Sequence, residues 1–231
     1  MSPPRRSRFY AAALVLGAVA FYAGTRLVPG RPAPHFHPLS GRQIAGIATD
    51  AGWLDRTARQ QEEAPDQALA LIGVHAGMTV ADIGAGSGYM TMRLAKLVAP
   101  GGMVYANDVQ PAMLRVIGDK VAQEGINNVV LVPGTETEAH LPDGTIELAL
   151  LVDVYHELAQ PQAMLRSIRR SLTADGRLVL VEYRKEDAGI PIAPTHRMSL
   201  TEARMEVEAE GFRFERAIEG LPRQHVLVFR R

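Results

Sequence analysis

The stretch Val80-Ala81-Asp82-Ile83-Gly84-Ala85-Gly86-Ser87-Gly88-Tyr89 constrains this chain more than any other. It reads as a buried strand that runs into a glycine-rich turn, with a helix opening at about Tyr89. Glycine serves where the backbone takes positive φ, or where a ligand must approach the main chain with no Cβ in the way. A strand, a glycine turn and a helix N-terminus build a nucleotide-type pocket at the carboxyl end of a parallel sheet. A bare strand-to-helix connection would not need glycine at three alternate positions. The spacing sharpens the reading. Dinucleotide folds use G-x-G-x-x-G, where the last small residue lets helix and strand pack closely. Here the run is G-x-G-x-G, and Tyr89 stands where that small residue would be.

A second acid follows at the right distance. Met103–Asn107 reads as the next strand and ends at Asp108. A carboxylate about 20 positions past the glycine turn can accept hydrogen bonds from both hydroxyls of a ribose. The competing role for Asp108 is N-cap of the helix that begins at Pro111, and one residue can serve both. Val109 would then lie beside the ligand.

Composition narrows the chemistry. Lys and Arg together number 25, as do Asp and Glu, so no net charge favours nucleic acid. There is no cysteine, which excludes disulfides, thiolate-bound zinc, iron–sulfur clusters and thiol nucleophiles. His35 and His37 flank Phe36 in a proline-rich linker with no third ligand nearby, so they read as solvated and no metal site is expected.

The amino terminus reads as a targeting segment. Arg5, Arg6 and Arg8 precede an apolar run from about Phe9 to Gly24, and Pro29, Pro32 and Pro34 follow. That pattern predicts a signal peptide or membrane anchor with its linker over residues 1–34, and membrane association through residues 9–28. The expected location is exported or membrane-anchored, on the periplasmic side; a cytoplasm-facing anchor is the alternative. Residues 35–65 are expected to form a partly helical lid containing the single Trp53. Within it, Arg56, Arg59, Glu62 and Glu63 read as a solvated helix face. Residues 66–231 form the main domain.

Further along, Leu94, Leu97 and Val98 should line the inner face of the helix over Tyr89–Val98. Ile146–Val152 is a nearly continuous apolar run, which suits a central parallel strand buried on both faces. It ends in Asp153-Val154-Tyr155-His156-Glu157. Asp153, Tyr155 and His156 are the chemical candidates at this strand end, with one or two in the pocket and the others capping the helix near Pro161. Glu182, Tyr183 and Arg184 end the next strand. Residues 185–197 form a loop that carries His196. Ser199-Leu200-Thr201-Glu202 fits a capping box. Phe212–Ala217 and His225–Arg230 read as a final strand pair around Gly220-Leu221-Pro222.

The VADIGAGSGY stretch, VYANDV, the apolar strand before DVYHEL and the final hairpin together resemble class I S-adenosylmethionine (SAM) methyltransferases. Within these the chain resembles the type 11 or ubiquinone-biosynthesis-like group. WLDRTARQQEEAP, DVYHEL and LPRQHVLVF are similar to a bacterial subset with an N-terminal export or anchor segment. The resemblance implies an α/β, three-layer Rossmann-like fold, its mostly parallel seven-stranded sheet finished by an antiparallel hairpin. It also implies SAM as cofactor and a small-molecule or lipid-like methyl acceptor. By this resemblance the cofactor lies on Asp82, Gly84, Ala85, Gly86 and Gly88. Asp108 and Val109 hold its ribose, Thr135 and Glu136 its adenine, and Asp153 lies at the next strand end. His156 is the first candidate for a general base, because its unperturbed pKa lies near neutrality; Tyr155 and His196 are next. Two other readings stand beside this one: a SAM-binding protein without catalysis, and a nicotinamide-dependent oxidoreductase, which Tyr89 and the hairpin disfavour.

Overall fold

A computed structural model describes residues 35–231, so the targeting segment expected over residues 1–34 lies outside the described residues. Among the described residues no helix is long and apolar enough to cross a membrane.

The elements run α1 (Ala51–Leu54), α2 (Arg59–Glu63), α3 (Pro65–Ile72), β1 (Thr79–Ile83), α4 (Tyr89–Val98), β2 (Met103–Asp108), α5 (Pro111–Glu124), β3 (Val129–Pro133), β4 (Ile146–Val152), α6 (Pro161–Ser171), β5 (Leu172–Tyr183), α7 (Leu200–Ala209), β6 (Arg213–Ile218) and β7 (Gln224–Arg230). Two 3₁₀ turns, Tyr155–Glu157 and Pro194–His196, flank the future site. The strands form one seven-stranded sheet in the order β3-β2-β1-β4-β5-β7-β6. β1 to β5 are parallel, and β7 is antiparallel to both β5 and β6. The expected fold class is therefore the observed one.

Side-chain alternation explains the apolar run of β4. Ala149 and Leu151 pack with α6 and α7, against Met164, Leu165, Ile168 and Val207. Leu148 and Leu150 point to the other face, where Leu69 of α3 and Met90 and Leu94 of α4 cover them. A strand covered on both sides needs no polar face. Helix α4 differs from expectation at one residue: Leu97 is exposed, while Leu94 and Val98 are buried. Helical geometry turns residue 97 away from the face shared by residues 94 and 98. The strands read from the sequence fall within a few residues of expectation, and β5, expected to end around Glu182–Arg184, runs over Leu172–Tyr183. The capping box forms as read, with the Ser199 side chain accepting from the Glu202 amide.

The segment ahead of the sheet departs most from its reading. Residues 35–65 are helical only in two short pieces, α1 and α2. His37 is buried, not solvated, with Nε2 3.4 Å from Glu206. Arg42 is buried as well and donates from Nε and Nη2 to Glu206 of α7, at 2.9–3.1 Å. Its Nη1 donates to the carbonyl of His156 at 3.2 Å, and Ala45 N–H donates to that same carbonyl. This strap thus joins α7 to the turn after β4. A hydrophobic pattern carries no trace of it, because its anchors are polar.

A buried cation stripped of its carboxylate is expensive to keep. Glu206→Gln is therefore expected to lower folding stability by about 3–5 kcal/mol, read from denaturant unfolding. A loss below about 1 kcal/mol would contradict this account of the strap.

Candidate active site

A cavity of about 350 Å³ opens at the carboxyl ends of β1 and β4. This is where the strand order reverses, the place where open α/β sheets leave a crevice for ligands.

The glycine turn makes its floor. Gly84, Gly86 and Gly88 all have positive φ, at 66°, 55° and 81°. A Cβ on Gly84 would lie 2.6 Å from a Val154 methyl, and one on Gly86 would lie 2.9 Å from Leu54. Gly88 does not line the cavity. A Cβ there would meet Ile117 of α5 at 2.9 Å, so this glycine lets α4 and α5 pack.

Asp108 couples the turn to the end of β2. Its Oδ2 accepts from the Gly86 amide and its Oδ1 from the Gln110 amide, both at 2.8 Å. The N-cap-like contact and the place beside the pocket coexist, because each carboxylate oxygen has two lone pairs. Burial raises its pKa against these hydrogen bonds. Asp82, at the end of β1, is buried and accepts from Thr91 Oγ1 at 2.6 Å. Burial pushes its pKa up to about 6. Ala85, Val109, Thr135 and Glu136 also border the cavity.

Asp153 lies at the end of β4 with φ 55°, and Gln224 of β7 donates to both its oxygens at 2.8–2.9 Å. Burial, with the nearby Glu63 and Glu182, holds its pKa well above the usual carboxylate range.

The roof comes from the segment before the sheet. Ile47, Ala48, Trp53, Leu54 and Arg59 line the cavity. Arg59 and Glu63 are buried, which corrects the solvated-face reading. They do form the i,i+4 pair, Arg59 Nε donating to Glu63 Oε2 at 2.6 Å. Their common face, however, is turned toward the carboxyl ends of β4 and β5. There Tyr183 hydroxyl donates to Glu63 Oε1 at 2.7 Å, and Arg59 lies 3.9 Å from Asp153. Arg56 donates to Glu63 and stacks its guanidinium 4.0 Å from the Trp53 ring centre. A second tie comes from Asp55, which accepts from Ser87 and Lys120 at 2.6–2.7 Å.

Opposite the glycine turn lies a chain of titratable groups. His156 is buried, and its Nδ1 lies 2.6 Å from Glu182 Oε2. Glu182 is also fully buried, and its Oε1 accepts from the Tyr155 amide. His156 Nε2 faces His196 Nδ1 at 3.1 Å. Glu157 Oε1 lies 3.8 Å from the first of these nitrogens and 3.6 Å from the second. Burial depresses the His156 pKa, but Glu182 more than offsets it, so the net shift is upward. Burial pushes Glu157 up to about 7. His196 shifts down through burial and the neighbouring His156.

Tyr155 is the candidate that the structure removes. The 3₁₀ turn after Val154 swings it into the core, where its ring lies 5.3 Å from Arg42 and outside the cavity lining. Nor does any of these side chains cap α6, whose N-cap is Gln160. Glu182 lies behind His156 rather than at the cavity wall, and Arg184 is spent on the hairpin carbonyls of Leu221, Pro222 and Gln224. Thr91, Glu157 and Gln224 were not singled out in the sequence. Glu157 adjoins His156, which is a usable signal; Gln224 enters only through strand pairing.

Comparisons with known proteins agree with this geometry. Residues 81–180 match a family model described as a methyltransferase domain. The ubiquinone/menaquinone biosynthesis C-methyltransferase UbiE of a Marinomonas strain is 32% identical over 117 residues, 50% of this chain and 47% of that protein. The chain thus spans about half the length of the curated relatives it matches. The crystal structure of a SAM-dependent methyltransferase from Aquifex aeolicus superposes with a TM-score of 0.73 at 29% identity, covering 79% of this chain and 98% of that one. The [4+2]-cyclase SpnF shares the fold alone, with a TM-score of 0.63 at 16% identity over 81% of this chain and 87% of its own.

Loss of the Tyr183 hydroxyl should release the roof from the sheet. Tyr183→Phe is expected to cost about 1.5–3 kcal/mol of stability, measured by denaturant unfolding, since the bond goes to a buried carboxylate. An unchanged midpoint would contradict the anchoring role. Taken together, residues 81–180 match the model of a methyltransferase domain, and the strand order lies on a fold shared with the SAM-dependent methyltransferase of Aquifex aeolicus.

Proposed function

We propose that this chain is an enzyme that transfers a methyl group from SAM to a small-molecule acceptor. The observation that carries the reading is the cavity itself. It lies at the strand-order reversal, with Asp108 bridging the glycine turn at one end and the His156–His196–Glu157 group at the other. In this reading Asp108 receives the ribose hydroxyls on its remaining lone pairs. Asp82 faces the cationic amino group of the methionine part. Thr135 and Glu136 border the adenine, and Gly84, Ala85 and Gly86 lie beneath the cofactor. Residues 35–65 act as the roof.

The methyl carbon sits on a sulfonium, so the reaction is an in-line displacement. The cofactor supplies the reactive carbon and the protein supplies alignment and a dry site. The acceptor end is lined by Leu158, Pro191, Ile192 and Ala193 beside the histidines. That mixture suits a ring or chain of low polarity with one polar group at its reacting end. The C-methyltransferase relatives support an acceptor of quinone-precursor type, a lipid-like phenol, as the first class to assay. An exported or membrane-anchored location, supported by the arginines and apolar run of residues 5–24, would suit such an acceptor.

Calorimetric titration with SAM tests the reading. Asp108→Ala is expected to weaken binding by about 1–3 kcal/mol, since a hydrogen-bond acceptor for the ligand and the clamp on Gly86 are lost together. Unchanged affinity would remove Asp108 from the ribose, and binding of a nicotinamide dinucleotide in place of SAM would overturn the assignment. A pH series tests Asp82. Below its pKa of about 6 the carboxyl is neutral and the attraction to the amino group is lost. Affinity should therefore rise as pH increases through about 6, and Asp82→Asn should flatten that rise.

A further inference from the structure

The group formed by His156, Glu157 and His196 has a property that a general-base reading does not use. Its three ligand-capable atoms form a compact triangle. The sides are 3.1 Å between His156 Nε2 and His196 Nδ1, 3.8 Å from His156 Nε2 to Glu157 Oε1, and 3.6 Å from His196 Nδ1 to that oxygen. A circle through the three atoms has a radius of about 2.0 Å, which matches the length of a zinc–nitrogen or zinc–carboxylate bond. We propose that His156, Glu157 and His196 bind one divalent transition-metal ion, of which zinc is the natural probe, with an open coordination position facing the acceptor end of the cavity.

The protonation pattern supports the site. Glu182 Oε1 accepts from the Tyr155 amide at 2.8 Å, and its Oε2 takes the His156 ring at 2.6 Å. A carboxylate in that position can only accept, so His156 carries its hydrogen on Nδ1. The lone pair on Nε2 then points at His196. The two ring nitrogens at 3.1 Å are joined either by a hydrogen that His196 carries on Nδ1 or by a cation between them. A proton serves two atoms, whereas the third corner, Glu157 Oε1, completes a ligand set for a metal. The other Glu157 oxygen is held by the Ala48 amide at 3.3 Å, which leaves Oε1 for the triangle. A histidine ligand whose second nitrogen donates to a buried carboxylate is the usual outer support of a metal site. Two imidazoles and one carboxylate suit zinc or iron(II). All three residues line the cavity, so a further position opens onto it, as in catalytic rather than structural sites.

The role of the ion rests on the methyltransferase reading. An acceptor hydroxyl that enters the open position becomes more acidic, because the ion stabilises its anion. Its proton passes to water. The oxygen, or a ring carbon conjugated with it, forms the bond to the methyl carbon, and the carbon–sulfur bond breaks with its electron pair left on sulfur; where carbon attacks, it then loses its own hydrogen to water as a proton and the ring regains its conjugation. The histidines then act on the acceptor through the ion instead of taking its proton themselves.

The test uses the untagged full-length chain, stripped with a chelator and dialysed against Zn²⁺ or Co²⁺. The expected result is one ion per chain, with cobalt giving the strong visible bands of a low-coordinate site. His196→Ala should lower ion affinity at least about 10-fold, and Glu182→Gln about 10–100-fold by freeing the His156 ring. The far-ultraviolet circular dichroism and denaturant midpoint of His196→Ala should match the parent, which shows that the variant is folded. No stoichiometric ion, or equal retention by His156→Ala and His196→Ala, would overturn the site. A chain that binds the ion but not SAM would keep the metal site and sink the methyltransferase reading instead.

Discussion

Where β1 and β4 lie side by side, the connections that follow them leave toward opposite edges of the sheet. No helix covers the gap between them, and everything distinctive about this protein gathers there. The turn after β1 passes close beneath Val154, which follows β4, and only glycine at position 84 has both the positive φ and the missing Cβ that this requires. Asp108 then fixes the turn by accepting the Gly86 amide. The crevice is a consequence of topology; its shape is set by one close approach and one carboxylate.

Buried charge does the remaining positioning. Glu206, Glu63 and Glu182 are each buried at a different point around the crevice, and each has partners. Glu206 holds Arg42 of the strap. Glu63 holds Arg59 and Tyr183 beneath the roof. Glu182 holds His156 at the opposite end of the crevice from the glycine turn. An apolar contact of similar size could bury as much area, but it would not fix the direction of a side chain as a hydrogen-bonded carboxylate does. The cost of desolvating these groups makes them a weak source of net stability and a strong source of geometry.

The sheet was legible in the sequence because hydrophobic runs and turn residues report local structure directly. Val80–Ile83, Ile146–Val152 and the capping box at Ser199 fell where the pattern placed them. Asp82, Gly84, Gly86 and Asp108, read from their offsets along the chain, all line the cavity. The histidine end of the cavity was less legible. Tyr155 turned into the core because a 3₁₀ turn rotates successive side chains by about 120°, and nothing in the letters marks that turn. Arg59 and Glu63 looked like an exposed pair because their partners, Asp153 and Tyr183, lie some 90–120 residues away in the chain. The meeting of His156, Glu157 and His196 depends on the fold of the loop after β5, which no periodicity describes.

The most direct measurement is a crystal structure of the chain with SAM bound. The account predicts the ribose on Asp108, the adenine beside Thr135 and Glu136, and the methyl carbon directed into the space before His156, Glu157 and His196. A nucleoside seated elsewhere, or a methyl group turned away from that histidine pair, would contradict it.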